Sequence, residues 1–491
     1  ALAWAAEQPD RRVDAYRLAL AMAELTFTRT LLGESQQRYE QAAALADDPV
    51  ASAAALRHAA AVAGCRRLGD DMYRLHRAAG AAAHRSGDEP GAARDLATAA
   101  TTACRHSGAF ARLPAHDEVT ALLTAAQDLV RDDPAAEAAV ALAEAAVHAD
   151  AFGALRPDYN LPQILASARR AVDLAERTGD PLTVSAGLEA LTGAQSCAGD
   201  AFGVAATARR RVALLASAPV TPANSHELSE ALSSATQASL GIGDLPGARQ
   251  WGRQLAERPL LAEAAHQAVR WLLVADALAG NVDDVLASSV RFLDAWQRNG
   301  RQPSLGLAPA AAAVAMIHGL RGDEPARAEW LGIVDEQHRV LSEHAPGLVS
   351  ELAALDELAT FDAMVLLHHG HAKAAMEAVA TEPAQVARSV IWIWLHWYVA
   401  LRAEAAVLAG HPEARDRVAA ARAMVAGNPV ATAQVERAAA LLDDDQPRLL
   451  ATADAFEAAG CRYQRARTLV LAGGEYAAAG AAALTALGLA T

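Results

Sequence analysis

Lysine is almost missing from this chain: Lys373 is the only one among 491 residues, and arginine supplies the remaining strong cations. A phosphate-cradling loop needs Gly-x-x-x-x-Gly-Lys-Ser/Thr, but Lys373 is followed by Ala374, so that device is excluded. Aromatics make up only 4% of the chain against 53% hydrophobic residues, so the core must be built from alanine, leucine and valine. Alanine has the best helix propensity and lets helices approach closely, which predicts an all-α fold. The four cysteines, Cys65, Cys104, Cys197 and Cys461, show no paired spacing. They exclude a disulfide framework and a Cys-x-x-Cys site, and a reducing, cytoplasmic setting is expected. Long apolar runs are also lacking. The strongest, Ser389 to Leu401, is too short for a membrane span and carries His396. A net charge of −15 argues against this segment gripping nucleic-acid phosphates by itself. The chain begins Ala1-Leu2-Ala3-Trp4, without an initiator methionine or a basic signal-peptide start, and reads as a piece of something larger.

What the chain does have is punctuation. Glycine followed by Asp, Asn or His, then small residues, recurs between alanine-rich stretches: Gly87-Asp88, Gly199-Asp200, Gly243-Asp244, Gly280-Asn281, Gly322-Asp323, Gly370-His371 and Gly410-His411. From Gly199 onward the intervals are 44, 37, 42, 48 and 40 residues. A period near this length with one turn signature per unit marks stacked helix pairs. The glycine suits a left-handed position closing one helix, and the next residue suits the N-cap of the following one. The small residue four after the glycine (Gly91, Gly203, Gly247, Ala326, Ala374, Ala414) is expected to let the second helix pack tightly on the first. Acid or Asn before proline marks further helix starts at Pro49, Pro134, Pro181, Pro383 and Pro429.

One unit reads completely. Pro181 to Ala198 gives a first helix, Gly199-Asp200 the turn, and Phe202 to Leu215 a second helix with Val204, Ala208, Val212 and Leu215 at helical spacing. The expected architecture is a right-handed α-solenoid of roughly nine or ten helix pairs. Irregular breaks fall at Arg112 to His116, Gly153 to Asn160, Ser217 to Ser225, Gln302 to Pro309 and Asp443 to Pro447. The break with Pro219 and Pro222 divides the chain into helical-repeat halves over residues 1–218 and 225–491, or bends one continuous solenoid.

The unit resembles the tetratricopeptide repeat, with Gly33, Tyr39, Ala42 and Pro49 matching its layout best, although its aromatic positions are mostly Ala or Leu here. The closing stretch, Phe456-Glu457-Ala458-Ala459-Gly460-Cys461-Arg462-Tyr463-Gln464-Arg465-Ala466-Arg467-Thr468-Leu469, with the tail Ala477 to Leu489, is similar to the end of the helical region in large actinobacterial LuxR-type, ATP-binding transcriptional regulators. In that family, which includes the maltose-regulon activator, an NTPase precedes the helical region and a helix-turn-helix follows it. The resemblance implies a sensor or transducer segment, with ATP and DNA engaged only through regions outside this chain.

Several constellations compete with this reading. His368, His369 and His371 suggest a metal site, but His371 and His411 occupy the slot that holds Asp or Asn elsewhere, and no closed ligand set accompanies them. His226-Glu227-Leu228-Ser229-Glu230 begins like a zinc-protease helix but has Glu where the second His is needed, and reads as a charged helix start. The pairs Asp47-Asp48, Asp70-Asp71, Asp132-Asp133 and Asp283-Asp284, and the run Asp443-Asp444-Asp445, fall at helix ends and turns, which predicts exposure and capping. No Gly-x-Ser-x-Gly elbow or dinucleotide fingerprint is present. Trp251, Trp271, Trp296 and Trp330 are spaced to fill gaps between repeats.

The aromatic segment around Trp392, Trp394, His396, Trp397 and Tyr398 is the candidate site. On a helix, Trp394, Trp397 and Tyr398 share one face and Trp392 and His396 another. Such a helix is buried between repeats or lines a groove for a ligand or partner. The functional expectation is a non-enzymatic regulatory module with no cofactor, no metal and no membrane contact. Its inner helices would take a protein, peptide or small-molecule effector, and self-association into a homo-oligomer is compatible. The alternatives are a stand-alone scaffold or peptide-binding protein with no transcriptional role, and an α-helical enzyme with its site near His368–His371 and Trp392–Tyr398.

Overall fold

The computed structural model describes residues 2–149, 160–261, 264–301, 307–344, 351–389 and 392–491. Among them every regular element is helical. The first helices are α1 (Leu2–Ala6), α2 (Arg12–Thr28), α3 (Leu32–Leu45), α4 (Pro49–Cys65), α5 (Gly69–Arg85), α6 (Glu89–Arg105) and α7 (His116–Leu129). Next come α8 (Pro134–Ala149), α9 (Leu161–Thr178), α10 (Pro181–Cys197), α11 (Ala201–Leu215), α12 (Pro222–Gly241) and α13 (Leu245–Ala256). Then follow α14 (Ala265–Ala279), α15 (Val282–Arg298), α16 (Ala308–Leu320), α17 (Glu324–His344), α18 (Glu351–His368), α19 (Ala372–Ala378) and α20 (Pro383–Ser389). The last are α21 (Leu395–Leu408), α22 (Ala414–Met424), α23 (Pro429–Leu442), α24 (Gln446–Ala458), α25 (Arg462–Ala472) and α26 (Gly474–Ala486). Each helix packs mainly on its sequence neighbours, the arrangement of an α-solenoid.

The helix boundaries follow local chemistry. All five acid-or-Asn-proline signals begin a helix, and Asp48, Asp133, Asp180 and Asn428 each accept a first-turn N–H. At the glycine marks the closure is a Schellman turn. Gly199 N donates to Ser196 O at 3.0 Å, and Asp200 N donates to Gln195 O at 2.9 Å, with Gly199 at φ 70°. The 26 α-helices among the described residues exceed the nine or ten pairs expected. Some turns carry no glycine: Thr30, Arg67 and Asp444 take the left-handed position instead, at φ 61°, 59° and 53°. Those turns were invisible to a glycine-based count.

The small residue after the cap has a different reason from the one expected. A Cβ on Gly91, Gly203 or Gly247 would lie 2.0–2.2 Å from a carboxylate oxygen of Asp88, Asp200 or Asp244. The cap itself, ahead of the neighbouring helix, fills that space.

The chain divides into two compact units, residues 1–232 with 258–264, and residues 233–257 with 265–491. The Ser217–Ser225 stretch forms the α11–α12 connection and the first turn of α12, and the boundary lies farther on, between Leu232 and Ser233. The expected breaks at Gly153 to Asn160 and Gln302 to Pro309 lie largely outside the described residues.

In the first unit small apolar clusters join successive helices, such as Phe27, Leu32, Tyr39, Val62, Met72 and Leu75 from α2 to α5. In the second a single large core contains Trp271, Phe292, Trp296, Trp330, Phe361, Trp394, Trp397 and Phe456. Trp271, Trp296 and Trp330 are buried there, and Trp251 is half-buried. None of the four cysteines is in a disulfide. No helix among the described residues is long and apolar enough to cross a membrane.

Candidate functional site

The aromatic segment is not one continuous helix. Val390 and Ile391 lie outside the described residues, 392–394 form a turn, and α21 begins at Leu395 with Trp394 as its N-cap. Trp394, Trp397 and Tyr398 are buried, and Trp392 and His396 are half-buried. Trp394 packs edge-on against Phe361 with ring centroids 5.1 Å apart. Tyr398 Oη donates to Thr381 O at 3.0 Å, and Trp397 Nε1 donates to Leu240 O at 3.0 Å.

Much of this cluster holds the end of α12. The Trp392 ring lies where a Cβ on Gly241 would come within 2.5 Å of Cζ3. Asn428 Nδ2 donates to Gly241 O at 3.2 Å and lies 3.3 Å from His396 Nδ1. Burial pushes the His396 pKa down, partly opposed by its hydrogen bond to Gly241. Trp392, His396 and Trp397 therefore meet around Leu240 and Gly241, while Trp394 and Tyr398 turn to Phe361 and Thr381.

The histidine cluster is assembled but does not converge on a point. His368 and His369 stack edge-on at 4.8 Å, His369 and His371 are 6.5 Å apart, and His369 Nε2 lies 2.8 Å from Gly319 O. Among the described residues no group of His, Cys, Asp or Glu is placed to hold a metal ion. His371 is the N-cap of α19, although its ring makes no cap bond. Asp48, Asp133 and Asp445 cap helices, while Asp70, Asp71, Asp283 and Asp284 lie in first turns.

Two buried ionic hubs escaped the sequence reading. In the second unit Glu404 of α21, fully buried, meets Arg437 Nη2 of α23 at 2.8 Å and Arg467 Nη1 of α25 at 2.6 Å. Gln434 Nε2 also donates to Glu404, at 2.8 Å. Arg437 donates onward to Gln464 Oε1 at 2.7 Å and Thr468 Oγ1 at 2.9 Å, with its guanidinium 4.9 Å from the Phe456 ring centre. Arg467 Nη2 reaches Leu367 O of α18 at 3.3 Å. Burial pushes the Glu404 carboxyl up, but the two arginines outweigh it and hold its pKa at about 2. Residues 456–468 thus supply Phe456, Gln464, Arg467 and Thr468 to a buried network.

In the first unit the hub is built on the amino half of α12. Glu227 accepts from Ser185 Oγ at 2.7 Å, Arg211 Nη2 at 2.9 Å and Arg105 Nη2 at 3.1 Å. Glu230 pairs with Arg67 and lies 3.9 Å from His106 Nδ1. The His226 ring packs on Gly64, where a Cβ would meet it at 2.8 Å, and Cys65 Sγ lies 3.4 Å from Pro222 O. Burial raises the Glu227 pKa, but Arg105 and Arg211 overcome it and hold it well below the carboxylate range. Burial lowers the Arg211 pKa to about 10. The expected charged start of α12 is real, but its charges face inward. Arg67, Arg105, Arg211 and Glu227 are far apart in sequence and each looks like a surface residue, so no local signal announces them.

Beside Asn428 lies an open groove of about 780 Å³, lined by Pro246, Asn428, Ala433, Ala451, Ala455 and Ala458. Glu436, held by Arg422 and Arg448, stands at its edge. The groove offers mainly small apolar side chains.

No protein-family model matches the chain, and no curated protein matches it. Among solved structures it is similar to a "Circular tandem repeat protein with novel repeat topology and enhanced subunit contact surfaces", at 15% identity over 96% of this chain and 88% of that one, with a TM-score of 0.13. A likeness of that size says nothing of function.

Proposed function

We propose that the chain is a regulatory interaction module of a larger protein, of the kind found between the NTPase and helix-turn-helix of LuxR-type regulators. It engages a partner protein, a peptide or a small effector, and the helical array passes the bound state on to its neighbours. The tandem array of helix pairs carries this reading, because such arrays build extended surfaces from short-range contacts. The buried carboxylates favour it as well. Glu227, Glu230 and Glu404 are each committed to arginines, which leaves them poor proton carriers. The closing-stretch resemblance supplies the regulator context.

The test is direct. The purified chain, offered ATP and duplex DNA at physiological salt, is expected neither to hydrolyse the nucleotide nor to bind the duplex. Robust activity in either assay overturns the regulatory-segment reading.

A further inference from the structure

The amino half of α12 brings a cluster of charge into the first unit. Ser225, Glu227 and Ser229 are buried on this segment, with Ala231 and Leu232 as its buried apolar residues near the boundary. The receiving side presents Arg67, Arg105 and Arg211, joined by His106 and Ser185. α12 supplies Glu227 and Glu230 to this cluster, and Glu189 pairs with Arg211 from the receiving side. Arg67 stands in the left-handed turn position that glycine fills elsewhere, at φ 59°, and sends its side chain to Glu230. An arginine is rare there, so the position carries a backbone strain.

Polar seats of this kind behave differently from apolar ones. Desolvation cancels much of the attraction in a buried ion pair, so the pair contributes little net stability while fixing position. The contacts between α4, α5 and their neighbours are largely apolar and alanine-rich, although Arg57 of α4 also pairs with the buried Asp95 of α6. Residues 216–221, which precede α12, form an irregular connection with Val220 78% exposed, and this gives the helix a place to swing from.

We infer that the first unit is a receptor for an acidic helix, occupied in this chain by its own α12, whose Glu227 and Glu230 hold the arginines until a partner helix with carboxylates three residues apart replaces them. This rests on the interaction reading but fails separately from it: the DNA and ATP assays do not move its outcome. α12 is an internal ligand at millimolar effective concentration, so only a strong or multivalent partner displaces it.

Hydrogen exchange on the intact chain is the first measurement. The amides of residues 222–232 are expected to open well before the buried amides of α4, α5 and α6. Exchange of all of them together, only on global unfolding, overturns the inference. The second measurement uses a labelled peptide with the sequence of residues 219–232. Its affinity for a folded Glu227→Gln/Glu230→Gln chain is expected to exceed its affinity for the unaltered chain by about ten-fold or more. Adding Arg105→Met should remove that gain. Equal, weak binding to both chains, or a gain that survives Arg105→Met, overturns the inference. Should the double variant not fold, the exchange result decides alone.

Discussion

Asp244 accepts the backbone N–H of Gly247 at 3.0 Å, and its other carboxylate oxygen lies 2.1 Å from the place a Cβ on Gly247 would take. Asp88 with Gly91 and Asp200 with Gly203 repeat the arrangement, all three caps having ψ between 72° and 76°. Where the cap is more extended, as at Asp180 and Asn428 with ψ of 119° and 110°, Thr183 and Ala431 fit at the same position. The glycine and the acid are thus one device.

Gly247→Ala is therefore expected to be close to neutral. Alanine gains about 1 kcal/mol over glycine in a helix, and displacing the Asp244 cap loses about 1 kcal/mol. Gly193→Ala, where a Cβ would meet nothing within 4 Å, should gain about 0.5–1 kcal/mol outright. Thermal unfolding of the two variants checks the contrast. Equal stabilisation by both would show that the cap carboxylate moves aside without loss.

Removing one member of the second hub should be far more damaging. Glu404→Gln leaves Arg437 and Arg467 buried without a counter-charge, with an expected loss of about 3–5 kcal/mol. Replacing Glu404, Arg437 and Arg467 together by Leu, Met and Met should cost much less. Urea unfolding followed by tryptophan fluorescence reads this unit, because seven of the eight tryptophans lie in it, Trp4 being the exception. The Glu404 carboxyl is held at about 2 in the folded chain. Its contribution is complete above the unfolded value of about 4.3 and is lost as pH falls through 2.

The first unit should weaken at a milder pH than its buried carboxylates alone require. Burial pushes His106 and His226 below the ordinary imidazole value, against the raising influence of Glu230. The unfolded chain thus takes up protons first, and stability falls as pH drops below about 6.5, by at most about 1.4 kcal/mol per pH unit for each histidine. Glu227 and Glu230 are held low and add their own loss only below about 4.3. Calorimetry between pH 7 and 5 should show a falling Tm, and His106→Gln should flatten the slope. A Tm constant over that range rules the account out.

Gly241→Ala tests the seat of α12 in the aromatic cluster. The added methyl meets the Trp392 ring, and overpacking of this kind costs about 1–3 kcal/mol. Trp392→Leu in the same background should recover most of the loss. Strict additivity of the two changes in thermal unfolding would show that the ring and Gly241 do not interact.

Much of the fold was legible because its signals are local. Asp before Pro at 48–49 and 180–181, and glycine before Asp at 199–200, fix helix ends through bonds spanning a few residues. The turns at Thr30 and Arg67 were not legible, since neither residue type announces a left-handed backbone. The aromatic segment drew attention by composition, yet its turn at 392–394 packs on Gly241, which is remote in sequence. The hubs were hidden for the same reason: Glu404 and Arg467 lie 63 residues apart, and each alone resembles a solvated helix residue.

The closing stretch, from Phe456 to Leu469, is the stretch that answers Glu404 and Arg437. Gln464 and Thr468 have few alternatives once those two are in place, because the guanidinium fork of Arg437 is spread over them and Glu404, and a lysine's compact ammonium cannot span the same acceptors. The joint between α18, α21, α23 and α25 is thus written in interior residues far apart in sequence, where one change disturbs several helices at once.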